Sequence, residues 1–348
     1  MSREKLMSST SPSRLFSEVP FETDGKHTGF IRLFNSVHES AFGFIPIPIV
    51  VVRNGEGPTA LLVSGNHGDE YEGQVALCNL ARGLSPDRIS GRVIITPMAN
   101  FPAGKAGLRT SPIDGGNLNR AFPGDPSGSV TEQIAYFYET VLVPMSDYIC
   151  DLHSGGSSLM YVPSTLTVRP SDPAKLGPLL GMLKAFGAPY GYVSAGGNGT
   201  GGESSLWGAA ERCGKLAINT ELGGAGSVHA GGLRIGCRGI NNLLVHAGIL
   251  PQEDFIPVDR PTRLLELKGP DYYVYATEDG IFEPLVEPGD EVISGQAAGR
   301  IHSPETPWLE PTISYFQREG IVMCKRIPGR TKRGDCLFHL ASELPSGA

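Results

Sequence analysis

A chain of 348 residues, 40% hydrophobic and 19% charged, can bury a full core plus a second, smaller unit without any cross-link, and no apolar run approaches the roughly 20 residues of a membrane span. Its formal charge of −7, with no lysine or arginine block, argues against nucleic acid or anionic lipid as partner and for a small-molecule ligand. The six cysteines form no C-x-x-C pair and the N-terminus lacks the apolar stretch of a secretory signal, so reduced thiols and a cytoplasmic location are expected.

In chain order, residues 1–35 are expected to be a tail and lead-in. Residues 45–52 and 59–63 read as strands around a turn at 54–58, and the prolines of the first suit an edge position. Ser64-Gly65-Asn66-His67-Gly68-Asp69-Glu70 follows, placing a histidine and a carboxylate three residues apart directly after an apolar strand. Residues 72–84 have helical spacing and residues 91–97 return to a strand. The long irregular segment 100–129 carries Arg109, Asn119 and Arg120 among glycines, a composition that favours a functional loop. Thr131 reads as the cap of a helix reaching Val143, and a buried strand at 146–152 ends at His153. Helices at 172–186, 203–213 and 233–250 then alternate with strands at 190–193 and 215–220. From about Val258 short strands and turns take over, and residues 280–301 resemble the half-barrel of lipoyl and biotinyl carrier domains without the lysine that would carry the cofactor.

Such alternation implies an α/β fold with a largely parallel sheet covered on both faces, whose ligands sit at the carboxyl ends of the strands. His67, Glu70, His153 and Glu221 each fall at or just past such an end, so residues far apart in sequence can meet on one rim. Two histidines and a glutamate are a donor set suited to catalytic zinc, which keeps a coordination position open. Asp151 shares a strand face with His153 and either orients its imidazole or bonds nearby backbone; Asp69 either belongs to the site or caps the next helix. The competing motif, G-x-G-x-x-G at 197–202 with Glu221 about 20 residues on, fits a dinucleotide site but leaves His67, Glu70, His153 and Arg120 without purpose. No G-x-S-x-G elbow is present, and the other histidines, His339 among them, show no paired spacing.

Taken together, His67-Gly68-Asp69-Glu70, Asn119-Arg120, His153 and Ile218-Asn219-Thr220-Glu221-Leu222-Gly223-Gly224 resemble the succinylglutamate desuccinylase/aspartoacylase family of the zinc carboxypeptidase superfamily, over about residues 40–330. The resemblance implies a zinc-carboxypeptidase-like three-layer αβα domain with a mixed, mostly parallel sheet at 36–255, and a small barrel-sandwich-like β domain at 256–348. It also implies one Zn2+ per subunit held by His67, Glu70 and His153, with Glu221 as general base and acid. Asn119 and Arg120 would hold the substrate α-carboxylate, and Arg109 would polarise the scissile carbonyl, although its eleven-residue spacing to Arg120 is longer than in aspartoacylase. The expected partner is a small N-acyl amino acid, and a homo-oligomer is expected.

Within the family, residues 109–120 and 151–156 look most like the members that remove acetate from Nα-acetyl-L-2,4-diaminobutyrate in bacterial ectoine breakdown. Deacylation of N-acetylaspartate or N-succinylglutamate is the alternative, and a non-catalytic binding protein on the same scaffold is a remote one. The side-chain ammonium of the first substrate would want an acidic partner, with Asp114 and Glu203 as candidates; an extra carboxylate would want a cation from Arg109, Arg169 or Arg234.

Overall fold

The computed structural model describes residues 12–196 and 202–345, so most of the glycine-rich motif at 197–202 lies outside the described residues. At the centre, Tyr148–His153 runs between Thr59–Ser64 and Leu216–Glu221, all three parallel. On one flank, Gly91–Thr96 is parallel to Thr59–Ser64, and Phe44–Asn54 and Gly25–Phe34 follow in antiparallel sense. On the other, Ser164–Val168 turns antiparallel to Leu216–Glu221, and Tyr190–Ser194 and Arg263–Leu267 continue in parallel.

Thr59–Ser64 and Gly91–Thr96 are buried at every position, as strands covered on both faces must be. Because side chains alternate along a strand, Leu61, Val63 and Ile149 enter one core with Ile134, Phe137 and Leu206. Leu62, Cys150 and Ile218 enter a second core with Leu77, Leu183 and Leu243 on the opposite face. Helices Tyr71–Gly83, Leu176–Phe186 and Ala230–His246 cover that second face, which makes three layers.

Several local features differ from the reading of the sequence. Gly25–Phe34, which has no clear strand period in its sequence, forms a ten-residue strand along the whole of Phe44–Asn54. That pairing explains the prolines. Pro46 and Pro48 face Arg32 and Phe30, but Gly91–Thr96 pairs only with residues 50–54, so on their other side the prolines meet no ladder that needs an N–H. The helix expected after Thr131 starts at Ser129, whose side chain accepts from the Glu132 N–H while Glu132 reciprocates. The hydroxyl of Thr131 instead donates to Asp114. The last helix begins earlier than its apolar spacing suggests, because the His229 ring accepts from the Gly232 N–H as its cap. Among the described residues no helix is long and apolar enough to cross a membrane.

The C-terminal strands are joined to this sheet at two places. Cys336–Glu343 pairs antiparallel with Arg263–Leu267, and Gly320–Arg326 pairs with Leu159–Tyr161 in the segment that follows His153. A second, smaller antiparallel sheet of Thr312–Tyr315, Ala297–His302, Gly280–Pro284 and Arg330–Thr331 packs over a third core that includes Phe282, Phe316 and Phe338.

The helix Tyr71–Gly83 lies close against the central strands at Gly73, where a Cβ would stand 2.5 Å from Ser64 Oγ and 2.6 Å from Leu152 Cβ. Gly73→Ala should therefore cost about 1–3 kcal/mol in chemical denaturation. Gly83→Ala in the same helix, where nothing lies within 4 Å, should cost nothing or gain slightly.

Candidate active site

The three central strands end at one level: Val63 faces Asp151, and Glu221 faces His153, across the parallel ladders. The chain leaves the first of them through Gly65, at φ +72°, and brings His67 and Glu70 back over the strand ends. Gly68 is obligatory in this turn, since a Cβ there would sit 2.2 Å from the Ala103 carbonyl oxygen. Its N–H donates to the Leu108 carbonyl at 2.9 Å, which ties the turn to the segment carrying Arg109.

His67, Glu70 and His153 are buried, and one donor atom from each lies within 4.8 Å of the others. His67 Nδ1 is 2.7 Å from Glu70 Oε1, and His153 Nδ1 is 2.8 Å from Glu70 Oε2. The far nitrogen of each ring has its own partner. His67 Nε2 lies 3.1 Å from Asn117 Oδ1, and His153 Nε2 lies 2.8 Å from Asp151 Oδ2. Asn66 donates to both Asp151 oxygens, so the orienting carboxylate is itself fixed. Both imidazoles thus present Nδ1 to one point while Nε2 is held from behind, the arrangement expected of histidines that hold a metal ion. Asp151 takes the orienting part foreseen for it. Asp69 neither caps the helix nor joins the trio; it accepts from the Ser157 N–H at 2.8 Å.

Electrostatics divide the carboxylates. Burial alone would raise the Glu70 carboxyl, but His67 and His153 outweigh it and hold it well below the usual range. Burial lowers the His67 ring, whereas His153, equally buried, is raised well above its ordinary value by Asp151 and Glu70. Glu221 goes the other way from Glu70: burial first, then the Glu70 charge, push its carboxyl up to about 8, with His153 and Arg109 pulling it down. Its Oε2 is buried and has no hydrogen-bond partner among the described residues.

These groups line one cavity of about 370 Å³. Arg109 stands half-exposed in its wall, with Nη1 3.3 Å from both Glu70 Oε1 and His67 Nδ1. Arg120 also lines the cavity, where burial and neighbouring Arg109 disfavour its charge and Glu70 supports it. Asn119 is buried: its Oδ1 accepts from the Leu206 N–H at 3.1 Å, and its Nδ2 lies 3.2 Å from His153 Nε2. Asp114, Glu203, Arg169 and Arg234 do not line the cavity. Asp114 ties down Thr131, and Arg169 lies 3.9 Å from Glu266.

The sequence reading missed the remainder of the wall. Asn219, two residues before Glu221 on the same strand face, has a buried Oδ1 without a partner among the described residues. Tyr161, Tyr192, Tyr273, Tyr275 and His339 close the far side, the last three from the C-terminal strands. His339 has no sequence spacing to any other site residue, so no local motif could have found it.

A family model described as the succinylglutamate desuccinylase/aspartoacylase catalytic domain matches residues 56–247. The chain is 44% identical to a protein named N-alpha-acetyl-L-2,4-diaminobutyric acid deacetylase from Halomonas elongata, over 96% of this chain and 97% of that protein. Among solved structures, the product-bound ectoine utilization protein EutE (DoeB) from Ruegeria pomeroyi is 40% identical with a TM-score of 0.90, covering 95% of this chain and 100% of that one. A succinylglutamate desuccinylase/aspartoacylase from Rhodobacter sphaeroides is 39% identical with a TM-score of 0.89, covering 96% of this chain and 100% of that one.

Since His153 holds its proton above the ordinary range and a metal ion needs the neutral ring, uptake of a divalent ion should expel about one proton near neutral pH. Affinity should accordingly rise with pH until His153 is neutral in the free protein. Calorimetry in buffers of different ionisation enthalpy reads this directly, and His153→Ala should abolish both binding and proton release.

Proposed function

The chain belongs to the succinylglutamate desuccinylase/aspartoacylase family and is an amide hydrolase, and from that premise we propose that it is a zinc-dependent deacetylase converting Nα-acetyl-L-2,4-diaminobutyrate to acetate and L-2,4-diaminobutyrate. The observation that carries the chemistry is the unpartnered Glu221 carboxyl on the wall of the cavity that also holds a three-donor metal site and two guanidiniums. The substrate is supported by the name of the Halomonas relative, whose 44% identity extends over 96% of this chain.

The donor set of two neutral imidazole nitrogens and a carboxylate fits zinc, with His67, Glu70 and His153 as its holders. When bound, zinc supplies Lewis acidity and brings the pKa of water down to about 7. The chain's own groups do the rest. Glu221, poised near neutrality by burial, accepts the proton of the attacking water and returns it to the departing amine nitrogen. Arg120, on the cavity wall, takes the substrate α-carboxylate, for which its planar guanidinium fork is suited. Asn119 serves by position: its Oδ1 accepts from the Leu206 N–H, which fixes the chain beside Arg120. Arg109, on the mouth side of Glu70, stabilises the oxyanion as the amide carbonyl becomes tetrahedral.

The alternative substrates fit less well. N-acetylaspartate and N-succinylglutamate carry additional carboxylate, and among the described residues the cavity lining offers no arginine or lysine besides Arg109 and Arg120.

Glu221→Ala should keep fold and metal but lose turnover by roughly 10²–10⁴-fold; near-normal turnover would move the base elsewhere. Arg120→Ala should raise KM far more than it lowers kcat. A panel of N-acetyl, N-succinyl and N-acetyl-diaminobutyrate compounds, assayed for released amine with and without zinc, tests the reading as a whole. It is wrong if Nα-acetyl-L-2,4-diaminobutyrate is not cleaved.

A further inference from the structure

The proposed substrate carries a side-chain ammonium, and the cavity has no carboxylate for it. Among the described residues that line it, the only acidic side chains are Glu70, between the two imidazoles, and Glu221, assigned to proton transfer. What the cavity offers instead lies past Asn219. Across the sheet floor Asn219 stands beside Leu166, and Leu166 beside Tyr192, in ladder register. Beyond Tyr192 the rings of Tyr161, Tyr192 and Tyr273 surround that of His339, with centroids at 5.3, 6.0 and 5.4 Å, and Tyr275 stacks on Tyr273 at 6.0 Å.

We propose that this cluster, with His339 as its floor and Asn219 at its entrance, is the subsite for a cationic substrate side chain. The inference rests on the deacetylase reading and names the residues that make it selective. A cation within about 6 Å of tyrosine faces is attracted by the ring quadrupoles, most strongly where water is excluded. Burial keeps all three phenols protonated, so they bring no charge of their own. His339 is likewise neutral, because burial lowers its ring to about 4. Its Nδ1 lies 3.4 Å from the Leu340 carbonyl, which assigns the proton to that nitrogen and leaves Nε2 as an acceptor. The unpartnered Oδ1 of Asn219 is a second acceptor. A substrate carboxylate would gain nothing from the π faces or from these two acceptors, and would have only the phenol hydroxyls and the Asn219 amide N–H as donors. An alkyl group of the same shape would fit but gain only its burial.

The experiment compares kcat/KM for Nα-acetyl-L-2,4-diaminobutyrate with that for Nα-acetyl-L-norvaline, which has a methyl group in place of the ammonium. The wild type should prefer the cation by roughly tenfold or more. Tyr192→Leu and Tyr273→Leu should bring the ratio towards one, chiefly through a rise in KM of the cationic substrate. Tyr192→Phe, which keeps the π face, should retain the preference. Should the leucine variants not fold, competition on the wild type by L-2,4-diaminobutyrate against L-norvaline gives the same comparison, with tighter binding of the first expected. A preference that survives in folded leucine variants, or a wild type indifferent to the ammonium, overturns the subsite while leaving the deacetylase intact. No cleavage of either compound, with N-acetylaspartate cleaved instead, overturns the deacetylase reading and the subsite with it.

Discussion

A carboxylate removed from bulk water must have its charge answered locally, and the site is built around meeting that demand for Glu70. Its two oxygens each face an imidazole Nδ1, and the Ser154 N–H adds a third contact at 3.1 Å. The arrangement holds only if neither ring can rotate, which is why each Nε2 has a partner of its own. The next carboxylate along the helix extends the same logic. Glu72, fully buried, accepts from Ser154 Oγ at 2.7 Å and from the His229 N–H at 2.9 Å, so it joins the Glu70 helix to the segment after His153 and to the start of the last helix.

With that frame in place, one residue type meets opposite surroundings within one cavity. Glu70 stays ionised among imidazoles, as a metal holder must. Glu221 lacks such company and feels Glu70 as a like charge, so its proton affinity rises to where a group can both take and give a proton near neutral pH. Environment, and not the choice of side chain, sets the two carboxyls apart.

The parts legible in the sequence were those that a parallel sheet makes local. His67, Glu70, His153 and Glu221 announce themselves because each lies at or just past the end of a strand, and strands of such sheets end together. Asn66 and Asn117 were not singled out, because an asparagine that orients a ring is indistinguishable in sequence from one that builds a turn. Asp114 shows the converse: an acidic residue in a polar loop suggested a ligand for an ammonium, yet it fixes Thr131 at the start of a helix. Tyr192, Tyr273 and His339 come from three strands whose adjacency depends on how the C-terminal segment joins the sheet, and no spacing encodes that. The strand Gly25–Phe34 was hidden because Gly25, His27 and Gly29 share the face of its buried Ile31 and Leu33, which breaks the apolar alternation.

The joining of the C-terminal strands has a consequence for how such a chain can diversify. Cys336–Glu343 continues the ladder begun by the catalytic strands, and Gly320–Arg326 grips the segment that leaves His153, so the far wall of the cavity is braced by main chain at two points. Exchanging that unit wholesale for another would open both ladders and disturb the loop behind the reacting centre. Replacing single side chains on its inner face would not. The architecture therefore separates what can vary from what is braced: single side chains that face the cavity from the C-terminal strands can change while the ladders that hold those strands stay in place.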